Sequence, residues 1–111
     1  MYVTIPAELR KDALINAAIR TVVREFSPKV KHIRYNIGKD WSDEWAIFFR
    51  IVISDEVAAR SVRQRVEFKN SVTNRMMEEL DLPNLDMWPH FDYRSESEQS
   101  ARNDPDWAPV A

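Results

Sequence analysis

Three carboxylates fall within five residues in the stretch GKDWSDEW: Asp40, Asp43 and Glu44. Carboxylate clusters can hold hard cations such as calcium and magnesium, which take oxygen ligands. The spacing D-x-x-D-E departs from the D-x-[DN]-x-[DN]-G pattern of an EF-hand loop. The acids therefore read as the solvated tip of a hairpin, and no metal is expected. Gly38, the only glycine, is expected to supply a positive φ where a strand ends. A lone glycine cannot build a phosphate cradle, and neither G-x-x-x-x-G-K nor G-x-G-x-x-G occurs. The glycine-serine turn and paired aspartates of minimal nucleotidyltransferases are missing too. No cofactor is implied.

His32, Arg34 and Asn36 alternate along one strand, with Arg50 available opposite them. A histidine beside arginines could combine proton transfer with anion holding. No serine, cysteine or carboxylate is placed with them, so a polar outer sheet face is the default reading. Arg60, Arg63, Lys69 and Arg75 make a later helical stretch locally basic and could track phosphates. Glu67, Glu78 and Glu79 interleave with them, and the isoelectric point near 5.7 is unlike that of a nucleic-acid binder. A solvated helix face or a dock for an acidic tail fits better.

That tail is the most informative feature. The formal net charge of −2 is uneven: residues 1–80 carry 14 Lys/Arg against 11 Asp/Glu, and residues 81–111 carry 2 against 7. The acidic part also holds Met87, Trp88, Phe91, Tyr93 and Trp107. Disordered tails are poor in aromatics, so these side chains pack on their own domain or anchor a partner. Trp41, at the hairpin tip, has no burial partner in the hairpin and joins them as a candidate contact.

The elements that would position these groups follow from periodicity. From Pro6, which suits a first helical turn, Leu9, Ile15, Ile19, Val22, Val23 and Phe26 recur at helical spacing, opposite a polar stripe of Asp12, Asn16, Arg20 and Arg24. Pro28 disfavours helical geometry at Ser27 and ends this helix. Ile33, Tyr35 and Ile37 alternate with polar residues. Trp45, Ile47, Phe49, Ile51 and Ile53 alternate with Ala46, Phe48, Arg50 and Val52, so this second strand is expected to be covered on both faces. The linker between them is long enough only for an antiparallel return. A second helix, capped by Ser54 or Asp55, is expected to run to Leu80 with a stripe of Val62, Val66, Val72, Met76 and Leu80.

The fold class read from this order is α+β. An α-β-β-α two-layer core occupies residues 1–82, with two helices on one face of a small antiparallel sheet. Residues 83–111 form a proline-rich, acidic, aromatic tail, docked on the core or bound to a partner. A two-stranded hairpin alone is marginal, so a third strand is expected from the tail, from "YVTI" near the start, or from a second chain. The chain contains no cysteine, no apolar run long enough for a transmembrane helix and no signal-peptide pattern, which fits a cytoplasmic location.

Two segments, IRYNIGKDWSDEWAIFFRIVISDE (33–56) and FDYRSESEQSARNDPDWA (91–108), resemble a family of small bacterial proteins to which no mechanism is attached. There the first segment reads as a strand, an IGxDW turn and an AIFFR strand, and the second carries SEQ and DPxWA; this chain departs from the family's glycine-containing turn at Asp43, Glu44 and Trp45. The family is similar to companions of HEPN-type proteins in two-gene, toxin–antitoxin-like arrangements. The resemblance implies a non-enzymatic, antitoxin-like partner that binds a ribonuclease-like toxin; the acidic, aromatic tail, suited to a basic groove, is expected to act by occlusion. A nucleic-acid-binding or nucleic-acid-processing protein and a self-associating structural protein are the alternatives.

Overall fold

The computed structural model describes residues 4–109. A 3-10 turn, Ala7–Leu9, follows Pro6, and helix α1 runs Asp12–Phe26. The helix thus begins later than its periodicity suggested. Arg10 and Lys11 have ψ of 77° and 50°, outside the helical range, and this break sets Leu9 into the core. Ser27 is extended, as a residue before proline should be. Strands β1 (Val30–Lys39) and β2 (Trp45–Ile53) then form the expected antiparallel hairpin.

The second helix is two helices. Ser54 caps α2 (Asp55–Ala58) by accepting from the Val57 amide at 3.3 Å. Ser61 caps α3 (Val62–Leu80) by accepting from the Gln64 amide at 3.3 Å. Two good capping residues seven apart favour two starts over one continuous helix. The buried stripe of α3 is Phe68, Val72, Met76 and Leu80, whereas Val62 and Val66 are exposed. At roughly 100° per residue, those two valines lie well round the helix from Phe68, which corrects the stripe read from sequence.

Left-handed backbone at Asp81 (φ 52°) ends α3, and the short α4 (Leu82–Leu85) ends at Asp86 (φ 56°). The chain then enters β3 (Trp88–Ser95), continues into α5 (Glu96–Arg102) and closes in a 3-10 turn, Pro105–Trp107. α5 opens with a capping box made by Ser95 and Glu98, a spacing visible in the sequence.

The sheet order is β1-β2-β3, and the third strand comes from the tail. Thr4 and Ile5 lie outside any strand, and positions 2 and 3 of the "YVTI" stretch lie outside the described residues. The antiparallel expectation holds for the hairpin alone, because β3 runs parallel to β2, with Phe49 beside Phe91 and Ile51 beside Tyr93. The reason is the crossover. α3 carries the chain back along the sheet, so the next strand starts from the end where β2 started. The tail segment after residue 82 is docked on the core: Leu85, Met87, Phe91 and Tyr93 pack in the same cluster as Ile15, Val22, Ile47, Phe49, Val72 and Met76.

α1 and α3 cover one face of the sheet. They meet edge-to-face through Phe26 and Phe68, with centroids 5.8 Å apart, and through Arg75, which grips Glu25 at 2.8 and 2.9 Å. Among the described residues, no helix is long and apolar enough to cross a membrane.

Candidate protein-binding surface

The second face of the sheet carries Ala46, Phe48, Arg50 and Val52 from the central strand, flanked by His32, Arg34 and Asn36 on one side and by Trp88, His90, Asp92 and Arg94 on the other. Its two halves have different fates. At the β1 start and β3 end, the C-terminal segment lies across it. His32 Nε2 donates to the Trp107 carbonyl at 2.6 Å, and Arg34 donates to the carbonyls of Pro105 and Ala108, both at 3.1 Å. The Arg94 guanidinium stacks 4.2 Å from the Trp107 ring centre. It also donates to Gln99 at 3.1 Å and to Asp104 at 3.4 Å. Gln99 in turn donates to the Asp104 carbonyl at 2.7 Å. Trp107 is 5% exposed, and Val52 and Ala46 are fully buried.

The groups singled out as a polar sheet face are thus hydrogen-bonded within the fold. His32 and Arg34 fasten the C-terminal segment, and Arg50 bonds Asn36 across the hairpin. The four residues named as a possible basic face, Arg60, Arg63, Lys69 and Arg75, are engaged as well. Arg60 pairs with Glu56 at 2.8 Å and Arg63 with Glu67 at 3.2 Å; Arg75 meets Glu25, Glu78 and Glu79. These carboxylates largely neutralise the stretch. Lys69 lies 5.5 Å over the Tyr93 ring.

Most of the tail aromatics face inward. Met87 is buried, and Phe91 stacks on Phe49 with centroids 5.2 Å apart. The Tyr93 hydroxyl donates to the Lys69 carbonyl at 3.0 Å and bonds Thr73 at 2.6 Å. Burial pushes the Tyr93 hydroxyl up to about 12, against the smaller, opposing influence of Thr73. Tyr35 is also raised to about 12, first by burial and then by its bond to Asp12.

The hairpin end of the same face is different. Trp41 is 94% exposed and Trp88 is 66% exposed. Trp41 sits in the loop joining β1 to β2, and Trp88 opens β3 beside Ala46, so both stand at one end of the sheet. Between them Phe48 and His90 stack face to face, 4.9 Å apart and 12° from parallel. His90 Nε2 is buried without a hydrogen bond and lies 3.9 Å from the Asp40 carboxylate.

The loop holding Trp41 is built by its own acids. The Asp40 carboxylate accepts from the Ser42 hydroxyl at 2.6 Å, the Ser42 amide at 2.9 Å and the Glu44 amide at 3.2 Å. Those bonds, the Ser42 hydroxyl first, hold Asp40 below the usual carboxylate range. Asp43, at φ 63°, supplies the left-handed turn assigned above to Gly38, and pairs with Lys39 at 3.6 Å. Gly38 is an ordinary strand residue opposite Ala46, without positive φ. Among the described residues, no three His, Asp or Glu side chains gather as a metal site.

Sequence reasoning named both exposed tryptophans but missed Phe48, His90 and the Arg94–Gln99–Asp104 network. Only the register of β3, which no local pattern specifies, puts His90 on Phe48. Comparison with protein-family models, curated proteins and solved structures finds no match.

Proposed function

We propose that this chain is a non-enzymatic protein-binding module whose contact surface is the hairpin end of its sheet. The observation that carries the reading is the exposure of Trp41 and Trp88 at one end of the sheet, while Met87 and Trp107 are buried and Phe91 and Tyr93 pack on the core. Tryptophan is enriched among residues that dominate binding energy, and large exposed aromatics favour interaction sites. The most concrete form is an antitoxin-like partner of a HEPN-type ribonuclease. Occlusion by a free tail is replaced by occlusion through the Trp41–Trp88 end, because residues 88–95 are a strand of the core sheet.

A nucleic-acid role has less support, since His32 and Arg34 are bound to backbone carbonyls and Arg60, Arg63 and Arg75 to carboxylates. The test is co-expression with the product of the neighbouring gene, followed by titration of the purified pair. The chain should form a stoichiometric complex, and Trp41→Ala with Trp88→Ala should weaken it by about 2 kcal/mol or more per residue, the range of interface hot spots. If that product is a ribonuclease, its activity should return with the double variant. An unchanged affinity in the double variant rejects the surface.

A further inference from the structure

We propose a second docking site, for an extended peptide that carries both carboxylates and apolar side chains, in the groove between α1 and the outer edge of β1. The groove has a volume of about 510 Å³, within the roughly 300–1,000 Å³ range of ligand sites. It is lined by apolar Ile19, Val23 and Ile33 and by the cations Arg20, Arg24 and Lys31, with His32 and, from the C-terminal segment, Pro109 completing the wall. Among the described residues, no carboxylate lines it.

The rim charges are available. Glu25, next to Arg24, is turned to Arg75 on the other side of the helix, and Lys31 has a long contact to Glu96, at 3.9 Å, and a weak attraction to Asp55. Arg20 and Arg24 make no ion pair among the described residues. A cluster of like charges around apolar floor residues is balanced by a ligand with carboxylates on an apolar backbone.

The shape selects an extended peptide. β1 is an edge strand of the sheet, and an edge strand beside a helix can accept a further strand, with side chains alternating into the groove and out of it. The bulge at Val30/His32 carries Lys31 on this edge, a feature that discourages indiscriminate strand pairing while leaving a cation for a matched ligand. A phosphate chain would leave Ile19, Val23 and Ile33 without a counterpart. The groove lies at the opposite end of β1 from Trp41, so it is independent of the hairpin surface.

The test uses the isotope-labelled full chain and two octapeptides. One combines valine, threonine and glutamate; the other has lysine in place of glutamate. The glutamate peptide should move the amide resonances of Ile19–Arg24 and Lys31–Ile33 and leave the hairpin end still, with affinity falling as salt rises. Arg20→Glu with Arg24→Glu, both exposed on α1, should weaken it at least tenfold and admit the lysine peptide, with resonance dispersion showing that the variant is folded. The proposal is overturned if no groove amide moves at millimolar peptide, or if wild type takes the lysine peptide equally. It is also overturned if the double variant binds unchanged, if an RNA decamer moves the same amides as strongly, or if those amides shift only as the chain itself dimerises.

Discussion

Trp107→Ala separates the two readings of the tail. The ring is 5% exposed, and the turn that carries it packs against β1 and β2. Truncating a buried tryptophan costs about 3–5 kcal/mol, because transfer free energy is lost and a cavity remains. The Arg94 stacking at 4.2 Å is included in that loss; such contacts contribute about 0.5–2 kcal/mol. The bonds from His32 and Arg34 reach backbone carbonyls and survive the substitution, so the change reports on the ring. For a domain of this length, about 4 °C of melting temperature accompanies each kcal/mol. The melting temperature should therefore fall by roughly 12–20 °C, read by calorimetry or far-ultraviolet dichroism. Trp41→Ala, at a 94% exposed site, should change stability by no more than about 0.5 kcal/mol. A Trp107→Ala loss below about 1 kcal/mol would refute the reasoning and return the C-terminal segment to the pool of free partner-binding tails.

Three further outcomes are expected. The Tyr93 hydroxyl, raised by burial to about 12 against an ordinary value of 10, favours the folded state below pH 10, and that contribution disappears as pH rises through 12. Denaturant titrations should show up to about 2–3 kcal/mol of such loss from Tyr93 between pH 9 and 12, and Tyr93→Phe should reduce the slope to the part that Tyr35 contributes; an equal slope in the variant would contradict the assignment. In Gly38→Ala the new Cβ would lie 3.8 Å from Asn36 Nδ2 and 3.9 Å from Phe48 Cε2, ordinary contacts without positive φ. Chemical denaturation should show a gain of about 0.5–1 kcal/mol, and destabilisation would show that the position needs glycine after all. Deleting residues 83–111 removes β3 along with Leu85, Met87 and Trp107, so the remainder should lack a cooperative melt; a sharply melting fragment would show that residues 1–82 fold on their own.

The strands and most of the first helix were legible because each is set by residues close together in the chain. Alternation at Ile33–Ile37 and Trp45–Ile53, and a linker too short for a crossover, specify a hairpin locally. The α+β class, the two-sided burial of β2 and the capping box at Ser95 follow from the same short-range rules. Gly38 misled because composition suggests what a glycine can do, whereas the left-handed turn is made by Asp43 inside a loop organised by Asp40. Val62 and Val66 misled because they are apolar yet lie on a different face of α3 from Phe68, Val72 and Met76, and composition does not say which face the core covers.

The tail marks the division between what the sequence by itself determined and what tertiary structure decided. Its aromatics showed that it would not be a plain disordered segment, since so much apolar surface leaves water when it can. Composition could not say whether that surface finds its own domain or another. The fold decided by long-range pairing: β3 beside β2, Trp107 beneath Arg94, and its carbonyl on His32, 75 residues away. The same pairing left Trp88 outside and set it at the end of the sheet that carries Trp41. Local pattern cannot encode which end of a sheet a crossover returns to, so the candidate surface exists only in three dimensions.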